Sequence, residues 1–419
     1  MTEILTTVVR AGRLFDPVAG EVRRAQAIRI RGDRIEAVGP DRGTDAAGAS
    51  VVDLSAFTVT PGLIDCHAHL VGLEEDEGSV DFSALLGRTG AQEALAGVRN
   101  AHRTLMAGFT TVRDVGTFRA FVDVALRQAI EDGWTPGPRM RCAGAYVTCS
   151  TGGGDIPPVA PDVVVPRELR FGVADSVGEV RRVVREILHG GADFIKVIAT
   201  GAVMTRGTNP GAPEFREGEI RAAVEEAALY GTHVAAHAHG AEGIKRAVRA
   251  GVGSIEHGSL MDDEAIELMA ERGTFLVPDI YNGDWIERTG RAHGWPEEVL
   301  RKNEETTRAQ REGFRKAVKA GVRIAYGTDS GIYPHGLEAR QLPYMVRHGM
   351  SPLQALRSAT IEAAELLGWA DRVGSISAGR YADLIAVTGD VLDGELEDFA
   401  DVPFVMKGGA VAKDMRPTP

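Results

Sequence analysis

The sequence predicts an α/β protein in which a (β/α)8 barrel over residues 61–369 carries a small β-sandwich built from both chain ends, residues 1–60 and 370–419. Two observations predict it. Both ends of the chain read as strands and turns, and the stretch between them alternates short apolar runs with helical segments jointed by glycine. The chain has 419 residues and 51 glycines, about 12% against a usual ~7%, as many tight connections would require. With 47 Lys+Arg against 59 Asp+Glu the formal charge is −12, and 44% of residues are hydrophobic and 25% charged.

These fractions exclude a disordered or collagen-like chain. The acidic balance argues against a nucleic-acid partner, and no apolar run is long enough to predict a membrane span. The N-terminus, MTEILTTVVRAGRLFDP, has no basic region followed by a long apolar core, so no signal peptide is expected. The three cysteines, Cys66, Cys142 and Cys149, show no framework spacing. An odd, unpatterned set fits a cytoplasmic location.

The N-terminal runs TVVRAGRLFDP, AQAIRIRGDRIEAVG and VVDLSAFTVTPG read as strands. From Leu63 to Leu367 the texture changes, and Gly108, Gly191, Gly231, Gly251, Gly273 and Gly321 each stand between a helical stretch and an apolar run. Glycine just past a helix end takes the left-handed conformation that stops the helix. The apolar runs fall near 63–67, 109–115, 139–146, 193–199, 232–237, 253–257, 274–279 and 322–328. Eight strands alternating with helices predict parallel pairing through right-handed crossovers and a closed TIM barrel. After Asp371, GSISAGRYADLIAVTGD and VPFVMKGGAVAKD return to strand texture, so the two ends are expected to build one small sandwich.

A barrel places its chemistry at the C-terminal ends of its strands. Strand 1 ends in LIDCHAHL, where His67 and His69, two apart, face one side and can share a metal. As a bare pair they equally fit core or surface histidines. In strand 4, ADFIKVIATG, Lys196 sits inside an apolar run. A buried ammonium is costly unless paired, so Lys196 either pairs with a nearby acid or is carboxylated, an anion able to bridge two cations. Strand 5 ends in VAAHAHG with His237 and His239, strand 6 in SIEHGSL with His257, and strand 8 in IAYGTDSG with Asp329. Each alone fits a satisfied core histidine or a capping aspartate. Together they put ligand-type residues at one end of the barrel, and four histidines, a carboxylate and a modified lysine suit zinc or a similar divalent ion.

The constellation resembles the amidohydrolase superfamily, in its binuclear branch with a carboxylated lysine. The resemblance covers nearly the whole chain, from PGLIDCHAHL through IKVIATGAV, HAHG, IEHG and GTDSG to GSISAGRYADLIA. It is closest in character to prolidase-like members: Xaa-Pro dipeptidases, N-acyl amino acid amidohydrolases and ochratoxin-hydrolysing amidases. The resemblance implies two divalent cations, zinc for preference. His67, His69 and Asp329 would bind the first and His237 and His257 the second, while Lys196, carboxylated by CO2, and a water-derived hydroxide bridge both. It implies hydrolysis of the amide bond of a dipeptide or N-acyl amino acid carrying a free carboxylate, by a homo-oligomeric enzyme. Asp329 is then the expected general base, passing its proton to the leaving amine.

Around this centre, His239 is expected to contact the substrate, unless it is a loop histidine facing solvent. Arg206, in the glycine-rich loop after strand 4, either seats a substrate carboxylate or is one more exposed arginine, and Tyr281 after strand 7 is a comparable candidate. His335 reads as a rim or surface histidine. Relatives carry a histidine in a T-G-G-H segment after strand 3; here STGGGDIPP has none, so Asp155 or a neighbouring loop replaces it, or the substrate class differs. The alternative function on this fold is a cyclic amide or ureide hydrolase, or an aminohydrolase resembling imidazolonepropionase and cytosine deaminase. Those branches do not need the strand-4 lysine. A non-enzymatic scaffold is a third class, and the filled ligand positions argue against it.

Overall fold

The computed structural model describes residues 6–42, 44, 46–72, 86–156, 159–160 and 162–416. The N-terminal strands are β1 (Thr6–Asp16), β2 (Glu21–Arg31), β3 (Arg34–Pro40) and β4 (Ser50–Pro61). There follow β5 (Leu63–Ala68), α1 (Gly90–Met106), β6 (Phe109–Asp114), α2 (Val122–Glu131), β7 (Arg139–Cys142) and β8 (Tyr146–Val147). Next come α3 (Val177–His189), β9 (Ile195–Ile198), α4 (Glu217–Leu229), β10 (Val234–Gly240), α5 (Ala241–Ala250), β11 (Ser254–Leu260) and α6 (Asp263–Arg272). Then come β12 (Phe275–Val277), α7 (Asn282–His293), α8 (Glu297–Ala320), α9 (Gln341–Arg347), α10 (Pro352–Ser358) and α11 (Ile361–Leu366). The chain ends in β13 (Leu384–Val387), β14 (Phe404–Lys407) and β15 (Ala410–Asp414). No helix among the described residues is long and apolar enough to cross a membrane.

Both chain ends meet in one seven-stranded sheet, ordered β15-β14-β13-β4-β1-β2-β3. Residues two apart point to the same face, and Val9, Ala11, Ile28, Ile30, Leu384, Ala386, Phe404 and Met406 form one buried cluster on its inner face. The expected sandwich is therefore a single ladder curled onto itself. The turn after β2 closes the curl: Ala382 N donates to Asp33 O at 2.9 Å and Ile35 N to Arg380 O at 2.9 Å. The join to the next layer is one residue long. A Cβ on Gly62 would lie 2.1 Å from Thr110 Oγ1, so only glycine passes there.

The remaining strands are parallel and buried. They stand as a three-stranded sheet, β5-β6-β7, and a five-stranded sheet, β12-β11-β10-β9-β8, not as one eight-stranded ladder. Two expected strands differ from the sequence reading. The third is broken at Ala143–Ala145, where Gly144 has φ 72°; its first half pairs with β6 and its second with β9. The eighth forms no regular strand but lies between β12 and β5, with Leu276 N donating to Arg323 O at 2.8 Å and Cys66 N to Tyr326 O at 2.7 Å. Isolated parallel bridges, Leu276 with Ile324 and Ala68 with Ser330, continue that run to the carboxyl ends of the strands.

The helices follow from their patterns. In α3, Val180, Val183, Val184 and Ile187 are buried, the i, i+3, i+4, i+7 stripe of an amphipathic helix. Ser176 accepts from Glu179 N to cap its start. Burying each such side chain contributes about 1.5–3 kcal/mol, so a charge at Val184 would detach the helix. All six glycines expected to end helices have positive φ, for instance 98° at Gly251 and 74° at Gly321.

Candidate metal centre

The strand pairing decides which side chains meet. Ala235 is opposite Lys196, and Ala238 opposite His257, so β9, β10 and β11 deliver Lys196, His237 and His257 side by side. His67 lies in β5 and His69 just past its end; His67 O accepts from Asp329 N at 2.7 Å, which ties the eighth run to the first. Ring centroids lie 4.8 Å apart for His67 and His257, 4.5 Å for His237 and His257, and 5.5 Å for His67 and His69. His257 and Asp329 have φ of 69° and 55°. Left-handed backbone at a residue other than glycine costs about 1–3 kcal/mol and persists where the surroundings enforce it, often at functional sites.

Ligand atoms of His67, His257 and Asp329 lie within 4.8 Å of one another, as do those of His237, His239 and His257. Both sets are buried and could hold a divalent cation. Which nitrogen each ring turns inward follows from what the other one touches. His67 Nδ1 meets Glu256 Oε2 at 2.7 Å and His69 Nδ1 meets Gly116 O at 2.9 Å. Their Nε2 atoms converge on Asp329 Oδ1, at 3.4 and 3.3 Å. His257 Nδ1 faces Asp279 Oδ2 at 3.2 Å, leaving its Nε2 for the centre. His237 is reversed: its Nε2 lies 3.3 Å from Gly201 O, so Nδ1 is the inward atom.

Lys196 is 2% exposed and forms no hydrogen bond or ion pair with a described residue. The buried ion pair considered from sequence is therefore not made. Burial lowers its ammonium to about 8, against the field of Glu256. Burial lowers the imidazoles of His67, His237 and His239 too, the last to about 3, so all three stay neutral, the form that binds metal. Burial would raise the Asp329 carboxyl, but His67 and His69 facing it hold it well below the usual carboxylate range. Neutral imidazoles at His67, His237 and His239 beside an ionised carboxylate fit a dicationic occupant; burial would lower the His69 imidazole too, but Asp329 facing it raises it.

Five residues beyond the sequence reading, Arg113, Glu256, Asp279, Asn282 and Gln310, support these groups. Arg113, fully buried, donates to Glu256 Oε1 at 2.7 Å and to Ser254 Oγ at 3.1 Å. Gln310 Nε2 donates to Asp279 Oδ1 at 2.6 Å, and Asn282 Nδ2 to Asp279 and Asp329. Arg113 in FTTVRDV and Glu256 in SIEHG carry the signal that marked Lys196, a charge inside an apolar strand. Asp279 and Asn282 lie in a loop and at a helix start, where no such contrast exists.

The cavity over this centre encloses ≈ 1050 Å³, counting its open mouth. His239 lines it, with Nδ1 2.8 Å from Ser259 Oγ; it is not a solvent-facing loop residue. Val203, Met204, Phe118, Ile286 and Ile332 form an apolar wall. Arg206 is absent from the lining and exposed, with its charge acting on Glu298. Tyr281 is also absent: it is buried between Tyr333 and Tyr344, at ring distances of 5.1 and 5.2 Å. Asp155 is held by Arg170 in two contacts of 2.7 and 2.8 Å, and Gly153 and Gly154 form the wall instead. Pro157 and Pro158 of that segment lie outside the described residues. His335 is no rim residue; it is buried behind the centre, Nε2 3.1 Å from His69 O.

The sequence profile of the Amidohydrolase family matches residues 58–413. An ochratoxinase of Aspergillus niger is 34% identical over 436 aligned residues, spanning 98% of this chain and 87% of the relative. Among solved structures, a Xaa-Pro dipeptidase with methionine bound in its active site superposes with a TM-score of 0.90 at 36% identity, over 97% of this chain and 99% of that one. A prolidase complexed with N-methylphosphonate-L-proline gives 0.88 at 33% identity, over 98% and 100%.

Proposed function

This chain belongs to the amidohydrolase family and is a hydrolase of carbon–nitrogen bonds; from that premise we propose that it cleaves the amide bond of a dipeptide or N-acyl amino acid at a two-metal centre. The observation that carries the proposal is Lys196, buried and without a hydrogen bond or ion pair among the described residues, on the cavity that His67, His69, His237, His257 and Asp329 also line. A neutral lysine amine can add CO2, and the resulting carbamate would supply the negative charge that two cations need between them. In this reading His67, His69 and Asp329 would hold one cation, His237 and His257 would hold the other, and Lys196 would serve both, zinc being the preferred ion. Such cations would supply Lewis acidity, bringing a bound water close to ionisation at neutral pH and polarising the scissile carbonyl.

The chain's own residues do the rest. Asp329 turns Oδ1 toward His67 and His69 and Oδ2 toward Asn282, so it can take a proton from water and hand it to the leaving nitrogen. His239, neutral and braced by Ser259, contacts the substrate carbonyl or carboxylate. The apolar wall of Val203, Met204, Ile286 and Ile332 suits a bulky aliphatic or aromatic side chain. The described lining residues include no arginine and only one lysine, Lys196, so a substrate carboxylate would be met by neutral donors. The alternative aminohydrolase reading has no use for Lys196.

The two parallel sheets are read as one (β/α)8 barrel over 61–369, closed through the eighth run, with 1–60 and 370–419 as the second domain. Assembly into a homo-oligomer belongs to the same proposal. The test is a mass-spectrometric screen of zinc-loaded enzyme against dipeptides and N-acyl amino acids with free or amidated C-termini. Cleavage of the free acids alone is expected. No turnover by enzyme holding two metals would contradict the substrate class.

A further inference from the structure

Among the described residues two lysines are buried, and the metal centre accounts for only one of them, Lys196. The other, Lys302, stands in the second turn of α8 and is 3% exposed. A lysine is almost never this buried unless its charge is met, so its partners show what the burial is for. Its Nζ donates to Thr205 O at 2.9 Å and pairs with Glu298 Oε1 at 2.7 Å, one turn earlier in the same helix. The same Glu298 oxygen accepts from Gly207 N at 2.9 Å. Lys302 and Gly207 together hold the Glu298 carboxyl below the ordinary glutamate range. Both partners of the ammonium therefore lead to one place, residues 205–207.

Those residues are the tip of a loop that leaves β9 and returns to α4. Its neck is shut: Gly201 N donates to Ala212 O at 3.2 Å and Glu214 N to Ala199 O at 2.9 Å. The loop is thus a strap with closed ends, of the Ω type. One side of it, Ala202 to Thr205, lines the cavity. Met204 packs on the small apolar cluster of Ile286, Trp295, Val299 and Leu300 between α7 and α8. Thr205 Oγ1 donates to Gly153 O at 2.7 Å, which ties the strap to the glycine wall after β8. We propose that Lys302 is a positioning residue for substrate choice: it buckles the 201–212 strap to α8, and the buckled strap presents Val203 and Met204 as the wall that binds a bulky apolar side chain of the substrate. The identity of the substrate rests on the amide-hydrolase reading above; the strap does not. Lys302 itself is absent from the cavity lining and acts through Thr205 and Glu298. Without its ammonium, Thr205 O keeps only the hydroxyl of Thr208 at 2.9 Å, a donor that belongs to the strap and moves with it.

The first measurement reads the strap directly. Arg206 is exposed at its tip, and trypsin cuts there only when the segment opens away from α8, because proteolysis proceeds from the opened state. Lys302→Met keeps the apolar stem and removes the charge. In full-length, zinc-loaded enzyme it should speed cleavage after Arg206, identified by mass spectrometry, by about tenfold or more, the scale of losing a hydrogen bond to a charged group. The second measurement reads substrate choice. The ratio of kcat/KM for leucyl-leucine over alanyl-alanine should fall by about tenfold, through KM for leucyl-leucine, the scale of one aliphatic side chain losing its wall. A residue that only supports the fold would lower both substrates alike. Should Lys302→Met not fold, Glu298→Ala, at a side chain 33% exposed, carries the same two expectations. Unchanged cleavage after Arg206 overturns the buckle. Faster cleavage with an unchanged ratio overturns its part in substrate choice. Hydrolysis of no dipeptide or N-acyl amino acid overturns the amide-hydrolase reading, and the tryptic rate still decides the strap.

Discussion

At Glu256 a fully buried carboxylate divides itself between Arg113 and one imidazole nitrogen. The division fixes the proton of His67 on Nδ1 and turns Nε2 toward Asp329. Outer partners of this kind are worth about 10–100-fold in metal affinity. Glu256→Gln should weaken zinc binding by that order in a competition titration against a chromophoric chelator, with the circular dichroism spectrum retained; unchanged affinity would make Glu256 a packing residue. Glu214 behaves differently. Burial pushes its carboxyl up to about 7, against the hydrogen bond from Gly153 N at 2.8 Å. Between the ordinary glutamate value and 7 the folded state holds more protons than the unfolded one, so this group lowers stability as pH rises through that window. Glu214→Gln, which cannot ionise, should therefore compare more favourably with wild type at pH 8 than at pH 5 in thermal unfolding. The opposite order would mean that Glu214 is ionised throughout.

Among elements, the crossing of α7 on α8 controls where Asn282 sits. A Cβ on Gly283 would lie 2.1 Å from Thr307 Oγ1 and 2.6 Å from Thr307 Cγ2. In an open helix, glycine to alanine gains up to about 1 kcal/mol; here the clash wins. Gly283→Ala should lower both the melting temperature and kcat, and Thr307→Ala in the same chain should recover part of each, because it removes the two nearest atoms. No effect would show that the helices separate freely. The elements also show how far the sequence could be read. Lys196 and the histidines were legible because ligand-type residues in apolar strands are anomalies with a position. The third and eighth strands were legible as runs but not as ladders. Gly144 breaks one, and the other is held by contacts at single residues, which depend on neighbours the sequence does not place. Arg206 and Tyr281 were misplaced for a related reason: a loop has no period, so a residue following a strand can face the cavity, solvent or, like Tyr281, a cage of rings.

At the scale of the molecule, the curled sheet holds the bottom of the parallel layers. Arg139 of β7 grips Asp383 in two contacts of 2.8 and 3.1 Å, and Asp383 also accepts from Gly408 N at 2.6 Å. Tyr381 is sandwiched between the guanidinium groups of Arg34 and Arg139, each 3.5 Å from its ring centroid. Removing one partner of a buried pair costs about 3–5 kcal/mol, so Asp383→Ala should lower the denaturant midpoint by a matching amount while leaving KM unchanged in folded enzyme. A shift in KM instead would tie the sheet to the cavity directly.

The central claim is that Lys196 joins the histidines and Asp329 in holding two cations. Its most direct test is the metal content per chain of zinc-loaded wild type and Lys196→Ala, by inductively coupled plasma mass spectrometry after exhaustive desalting. The account predicts two zinc ions per wild-type chain, with metal and activity lost together in Lys196→Ala. Two ions and full activity in the variant would contradict it.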